Sequence, residues 1–234
     1  MRQTTSSARP RAVLSRSALA AAAAVAVENG GRVADLRRDA WGHGVLPIAQ
    51  AVVAAGAETV LVDAPGEVDA LALEGIRATI HGHADIDPLL VYGLPDSAGE
   101  LRTRPVLRLC GRVLSTKRLR AGDAVSYGYT HRVAADTTVA LITGGYAQGV
   151  VRALGNRAGV EIEGRERAII GRVAMDVCVV DLEGADVALG TDATYFGGTG
   201  PAAPGLARWG AVTGMTVPEL VAVAAAHAER GWEA

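Results

Sequence analysis

The sequence has a single lysine, Lys117, a single phenylalanine and two cysteines in 234 residues. Each shortage excludes something. With aromatics at 4%, there is no array of rings on which nucleic-acid bases could stack. A net charge of −2 gives no general attraction to nucleic acid or to an anionic membrane. No apolar run approaches the ~20 uninterrupted residues of a membrane span. Cys110 and Cys178 lie in apolar, strand-like runs and read as buried free thiols rather than a disulfide, which suits a reducing cytoplasm. The scarcity of lysine also restricts any Schiff-base mechanism.

What is present is a chain that is 50% hydrophobic, rich in Ala, Gly and Val, and long enough to bury a substantial core by close packing of small residues. Arg9 and Arg11 precede an apolar stretch, 18–27, that has the look of a signal peptide. The reading adopted is instead a strand over 12–15 and a helix from Ser17 with its hydroxyl as N-cap. Strands over 32–36, 59–63 and 78–81 then alternate with helices over 45–55 and 67–73, the spacing of parallel βαβ units. Three such strands cannot close a parallel barrel, which needs eight. Residues 83–104, with Pro88 and Pro95 around Gly93 and Gly99, read as a linker.

Beyond it the pattern changes to short β-branched runs at 106–114, 137–143, 160–162, 168–173 and 177–182, with a hairpin tip at 161–166. Gly197 to Pro204 form a loop that either covers an opening or simply connects. Thr216-Val217-Pro218-Glu219 is a capping-box pattern opening a helix to about residue 229. The fold class is therefore α+β, with an antiparallel β-barrel or sandwich over 105–234 and a small βαβ unit over 11–82.

Three segments of the second region carry chemistry: Gly122-Asp123-Ala124-Val125-Ser126-Tyr127-Gly128, Gly144-Gly145-Tyr146-Ala147-Gln148-Gly149 and Gly171-Arg172-Val173-Ala174-Met175-Asp176. In that order they resemble the C-terminal domain of alanine racemases. Asp39-Ala40-Trp41-Gly42-His43-Gly44 resembles the loop after the first strand of the same family's (β/α)8 barrel, whose last five strands have no counterpart here. The resemblance implies a pyridoxal-phosphate amino-acid racemase that moves a proton with two bases on opposite faces of the substrate Cα. One base is the cofactor lysine; the other is a tyrosine supplied by the partner subunit, at the position of Tyr127. Tyr146 and Met175 match positions lining the substrate entrance and active site across the dimer.

The departures fall on the cofactor side. Arg37 stands where the cofactor lysine belongs, and a guanidinium stays protonated and forms no aldimine. Trp41 replaces a phosphate-contacting tyrosine, and Lys117 matches a β-domain position. His43 is either a residue orienting the active-site edge or a turn histidine. Tyr127, with an ordinary pKa of ~10, needs a nearby cation to act as a base, and His131 and Arg132 read as a solvated loop. His81, His83, Asp85 and Asp87 read as a polar loop rather than a metal site.

The expectation is a degenerate family member with no cofactor of its own. It would be a cytoplasmic homodimer or bind a full-length racemase, acting as a dimerising or regulatory module, with a small amino acid as its only ligand class. The alternative is a racemase interconverting L- and D-alanine with pyridoxal phosphate, possibly completed by a partner chain.

Overall fold

The first expected strand forms as β1 (Arg11–Ser15), and α1 (Arg16–Glu28) follows without a break in a computed structural model that describes residues 9–234, the side chain of Tyr127 excepted. The cap is Ser15 rather than Ser17. Ser15 is still extended, so its Oγ meets the amide of Ala18 at 3.2 Å and satisfies one of the free amides of the first turn. Ala18, Leu19, Ala22, Ala23 and Ala26 form the buried face of α1. Their small side chains let the helix sit close to its neighbours.

The βαβ unit follows as expected. Strands β2 (Val33–Asp35), β3 (Thr59–Leu61) and β4 (Ala78–Thr79) pair in parallel, with Val33 opposite Thr59 and Val60 opposite Ala78. A short turn α2 (Arg37–Trp41) and helix α3 (Val45–Ala54) connect the first two, and α4 (Pro65–Leu73) the second pair. Glu67 starts α4 by accepting the amides of Asp63 and Ala64 at 3.0 Å.

Residues 83–104 are not a bare connector. Asp85 accepts the amides of Arg32 and Val33 at 2.7 Å each, so its carboxylate closes the start of β2. Asp87 caps helix α5 (Pro88–Tyr92) through the amide of Leu89, and Leu90, Val91 and Tyr92 are buried. Five residues are too few to display a helical period, although the Asp-Pro start was a signal.

The second half is a closed barrel. β5 (Leu107–Leu119) pairs with β8 (Thr137–Thr143), then β11 (Val177–Asp181), β10 (Arg165–Ile170), β9 (Gly159–Ile162) and β12 (Asp192–Phe196), which returns to β5. A two-stranded ribbon, β6 (Ala124–Val125) with β7 (His131–Arg132), projects from it. β5 runs past its expected end at 114 because the exposed Ser115 to Arg118 hide its apolar pattern. β12 was not expected.

The Gly197–Pro204 loop leads into another unexpected element, α6 (Gly205–Thr213), which packs Leu206 and Trp209 onto the barrel. The Trp209 ring meets Phe196 edge-on at 5.2 Å and Tyr195 at 6.1 Å. α7 (Val217–Ala226) opens with Glu219 accepting from the Thr216 amide and hydroxyl at 2.7 Å. It ends three residues before the expected boundary because β13 (Glu229–Glu233) turns back to pair in parallel with β1. β1 in turn lies antiparallel on the first residues of β5. Cys110 and Cys178 are buried free thiols, and burial pushes the Cys178 thiol up to about 12.

Leu109, fully buried, sits where β5 is held by β1 on one edge and β12 on the other. Leu109→Ala is expected to cost about 2–5 kcal/mol in urea unfolding, the usual range for a buried leucine. A loss well below 1 kcal/mol would remove this junction from the determinants of stability.

Candidate active site

Four segments meet at one rim of the barrel. The loop after β6 carries Tyr127 in a single 3-10 turn, Tyr127–Tyr129. Beneath it a small apolar cluster of Leu119, Val125, Val133, Val139 and Ile170 fixes the base of the ribbon. Ser126 donates its hydroxyl to the Arg172 carbonyl at 2.7 Å, which ties the Tyr127 loop to the segment before Met175. Gly171, at φ +72°, has no room for a side chain: a Cβ would lie 2.7 Å from that of Ser126. Asn156 completes the link, accepting the Gly171 amide at 2.6 Å and approaching the Thr130 hydroxyl at 3.4 Å.

Tyr146 and Met175 are joined by backbone. The Tyr146 amide donates to Ala174 at 2.9 Å and the Ala147 amide to Met175 at 3.0 Å. That approach requires Gly145, whose Cβ would stand 2.2 Å from the Met175 carbonyl oxygen. Tyr146 is 41% exposed, with the Arg152 guanidinium 5.6 Å over its ring, and Met175 is 54% exposed. Ser126, Gly128, Tyr129 and Arg172 also border a cavity of about 460 Å³ on the outer face of β8 and β11. The structure thus gathers Tyr146, Met175 and the backbone of Tyr127 at one rim. The Tyr127 hydroxyl lies outside the described atoms.

Arg37, Trp41 and His43 are on the other half of the chain, at the end of β2. Here the backbone is unusual: Arg38, Asp39, Ala40 and Trp41 all have φ between +50° and +58°. Such left-handed conformations cost non-glycine residues roughly 1–2 kcal/mol each, so the turn must be held from outside. The Arg38 amide donates to Asp63 at 2.5 Å, and Arg230 of β13 donates to the Asp39 carboxylate at 2.5 Å. Gly42 fits against α7, where a Cβ would meet that of Ala225 at 2.4 Å.

The Arg37 guanidinium grips Asp35 in two-point fashion, Nε to Oδ1 at 2.9 Å and a terminal nitrogen to Oδ2 at 2.5 Å. The Arg37 hydrogen bond holds the Asp35 carboxyl below its ordinary range, and Asp35 in turn raises the pKa of Arg37. Trp41 leans on Tyr92, with ring centres 5.1 Å apart. His43 is fully buried and stacked on Tyr92 at 4.5 Å. Its Nδ1 lies 2.9 Å from the Ala40 carbonyl and therefore carries a proton, while burial disfavours the charged ring, so a neutral imidazole braces the turn.

Tyr92 donates its hydroxyl to the Asp35 carbonyl at 2.9 Å. Asp35, Tyr92 and Arg230 were missed in the sequence. Asp35, two residues before Arg37, was the one visible signal. Among the described residues, no hydrogen bond, ion pair or ring contact joins Arg37, Trp41 or His43 to Tyr146 or Met175. Lys117 is exposed on β5, opposite Val139. Among the described residues, no group of His, Cys, Asp and Glu could hold a metal ion, and no single helix is long and apolar enough to cross a membrane.

A closed antiparallel barrel joined to a three-stranded parallel unit, with glycine-tight loops at the barrel rim, defines an α+β protein whose larger part is the barrel. The family model described as alanine racemase, C-terminal domain, matches residues 106–231, and the chain belongs to the alanine racemase family. It is 46% identical over 114 residues to the alanine racemase of Mycolicibacterium vanbaalenii, covering 47% of this chain and 29% of that protein. To the alanine racemase of Mycobacterium avium it is 39% identical over 137 residues, covering 57% and 35%. The chain thus matches about a third of the length of these curated relatives. In fold it is similar to the alanine racemase from Streptomyces coelicolor A3(2), with a TM-score of 0.78 at 20% identity over 96% of this chain and 98% of the other. The E. faecalis alanine racemase gives 0.80 at 16% identity over 96% and 98%.

Burial lowers the His43 pKa from 6.5 to about 4. The unfolded chain takes up this proton near pH 6.5 and the folded chain only near 4. Stability present above pH 6.5 is therefore lost as pH falls through that window, by about 3 kcal/mol in all. In urea titrations from pH 7 to 4, His43→Gln is expected to have a flatter pH slope than the unsubstituted protein. Equal slopes would place the acid sensitivity elsewhere.

Proposed function

We propose that this chain is a barrel-truncated member of the alanine racemase family that forms no Schiff base with pyridoxal phosphate and serves as a dimerising or regulatory module. One observation carries the reading: Arg37, the residue we assign to the family's cofactor-lysine position, is clamped to Asp35 by two hydrogen bonds. A Schiff base needs an amine that can lose its protons, and a guanidinium paired with a carboxylate does not supply one. Lys117, on the barrel wall, offers no substitute at that place. Trp41, turned onto Tyr92, brings one N–H donor to the place we assign to the family's tyrosine hydroxyl. These residues do not fit the cofactor.

The outer face of β8 and β11 supports the dimerising role. Leu141, Val177 and Val179 form an apolar wall beside the exposed Tyr129 and Met175. A second chain covering that wall would also cover the Tyr127 loop. The setting we propose is the cytoplasm.

A second reading rests on the exposure of Tyr146 and Met175 at the same rim. In that reading the rim is offered to a full-length racemase, which supplies the cofactor and its lysine, and Tyr127 acts as the second base in L- to D-alanine conversion.

Titrating the purified protein with pyridoxal phosphate is expected to give no stoichiometric near-visible band that borohydride bleaches; such a band would sink the proposal. Sedimentation is expected to give a homodimer, and a compact monomer would remove the dimerising role. For the second reading, activity gained on mixing with a full-length racemase should vanish with Tyr127→Phe. Unchanged activity rejects it.

A further inference from the structure

Another cavity, of about 740 Å³, lies between the two halves of the chain. Helix α5 and the 95–99 loop form one side of it, α6 and the start of α7 the other, and Trp41 also borders it. The two sides are fixed against each other, since a Cβ on Gly99 would stand 3.3 Å from that of Ala207. Much of the wall is apolar. Trp41, Leu89, Met215 and Val217 each pack one side on the hydrophobic core and turn the other to the cavity.

The charge on this wall has one sign. Asp87 and Asp96 border the cavity, and no arginine, lysine or histidine does. Each carboxylate is anchored through one oxygen. Asp87 Oδ1 accepts the Leu89 amide at 2.9 Å, and Asp96 Oδ1 accepts the amides of Ala98 and Glu100 at 2.9 and 3.0 Å. The other oxygens are weakly held. Asp87 Oδ2 has Arg102 at 3.8 Å, an exposed arginine that also donates to Asn29 at 3.2 Å, and Asp96 forms no ion pair among the described residues. Arg208, the arginine of α6, is turned away to Glu166.

The fold also sets the spacing of ring and charge. α5 is little more than one turn long, so its cap Asp87 and its last residue Tyr92 stand about 7–8 Å apart along the axis. The Trp41 ring centre is 5.1 Å from that of Tyr92. An indole and a carboxylate therefore border one cavity about a helical turn apart. An aromatic ring with an ammonium on a two- or three-carbon arm covers that separation once ring packing and a hydrogen bond are added. A phosphate or carboxylate ligand would instead meet two carboxylates and no cation, and a neutral ring would leave both carboxylates unused.

We propose that this cavity binds a small aralkylammonium ion, its ring against Trp41 and the apolar wall and its ammonium at Asp87, with Asp96 adding to the attraction. The site uses neither Arg37 nor the outer face of β8 and β11, so it goes beyond the functional proposal and stands apart from it.

Calorimetric titration of the full chain with 2-phenylethylamine tests the idea, with 2-phenylethanol and 3-phenylpropionate as the neutral and anionic counterparts. Saturable binding of the amine is expected, with both counterparts about fivefold weaker or more, the effect of one partly exposed ion pair. Asp87→Asn keeps an acceptor for the Leu89 amide and should weaken the amine by a similar factor. Binding should also change the tryptophan fluorescence, and Trp41→Phe should remove that change, because neither Trp209 nor Trp232 borders the cavity. No saturable binding of the amine at millimolar concentration would overturn the proposal. So would equal affinity for either counterpart, an unchanged affinity in Asp87→Asn, or a fluorescence change that survives Trp41→Phe.

Discussion

Leu109 and Cys110 of β5 are paired on both edges, to Ala12 and Arg11 of β1 on one side and to β12 on the other. Further along, from Val113 to Leu119, the same strand pairs with β8. A shorter β5 could close the barrel or hold the N-terminal strand, but not both. The crossing is tight: Gly111 passes so near β8 that a Cβ would lie 2.2 Å from the Thr143 carbonyl oxygen. Tyr195 of β12 then donates its hydroxyl to Thr143 at 2.7 Å, with the Gly144 carbonyl at 3.1 Å. Because Gly144 opens the loop that bears Tyr146, the candidate rim takes its position from this junction.

The two halves of the candidate site have different physical standing. At the rim, close backbone approaches at Gly145 and Gly171 lock the loops, and one added methyl would part them. At the end of β2, the change is electrostatic. The Arg37–Asp35 pair is half-exposed on the arginine side, so it contributes little to stability. Its weight is chemical, since it fixes a permanent cation at the end of β2. The rim is thus held by shape and the end of β2 by charge, and the two can vary independently.

Legibility in the sequence followed the range of the interactions. The parallel unit, the capping box at Thr216 and strands β8, β9 and β11 were readable because period and cap chemistry are local. α5 was too short to show a period, and α6 begins behind a Gly/Pro-rich loop. β13, Glu-Arg-Gly-Trp-Glu, has none of the apolar alternation of a strand and exists because β1 offers it an edge. His43 was left open between an orienting residue and a turn residue, and only the Tyr92 ring beneath it decides that it is buried. The left-handed turn around it left no trace in residue type, since none of its four members is glycine.

That turn also bears on the order in which the chain can acquire its structure during synthesis. Four left-handed residues represent a local cost of roughly 4–8 kcal/mol, which no isolated segment sustains. The groups that hold it include Arg230, 191 positions later, and the surface of α7 against Gly42. Strands β2 to β4 can pair while the rest is still being translated. The site edge at Asp39 cannot, and it waits until Arg230 has been made. The earliest-made part of the candidate site is thus the last to take its final shape.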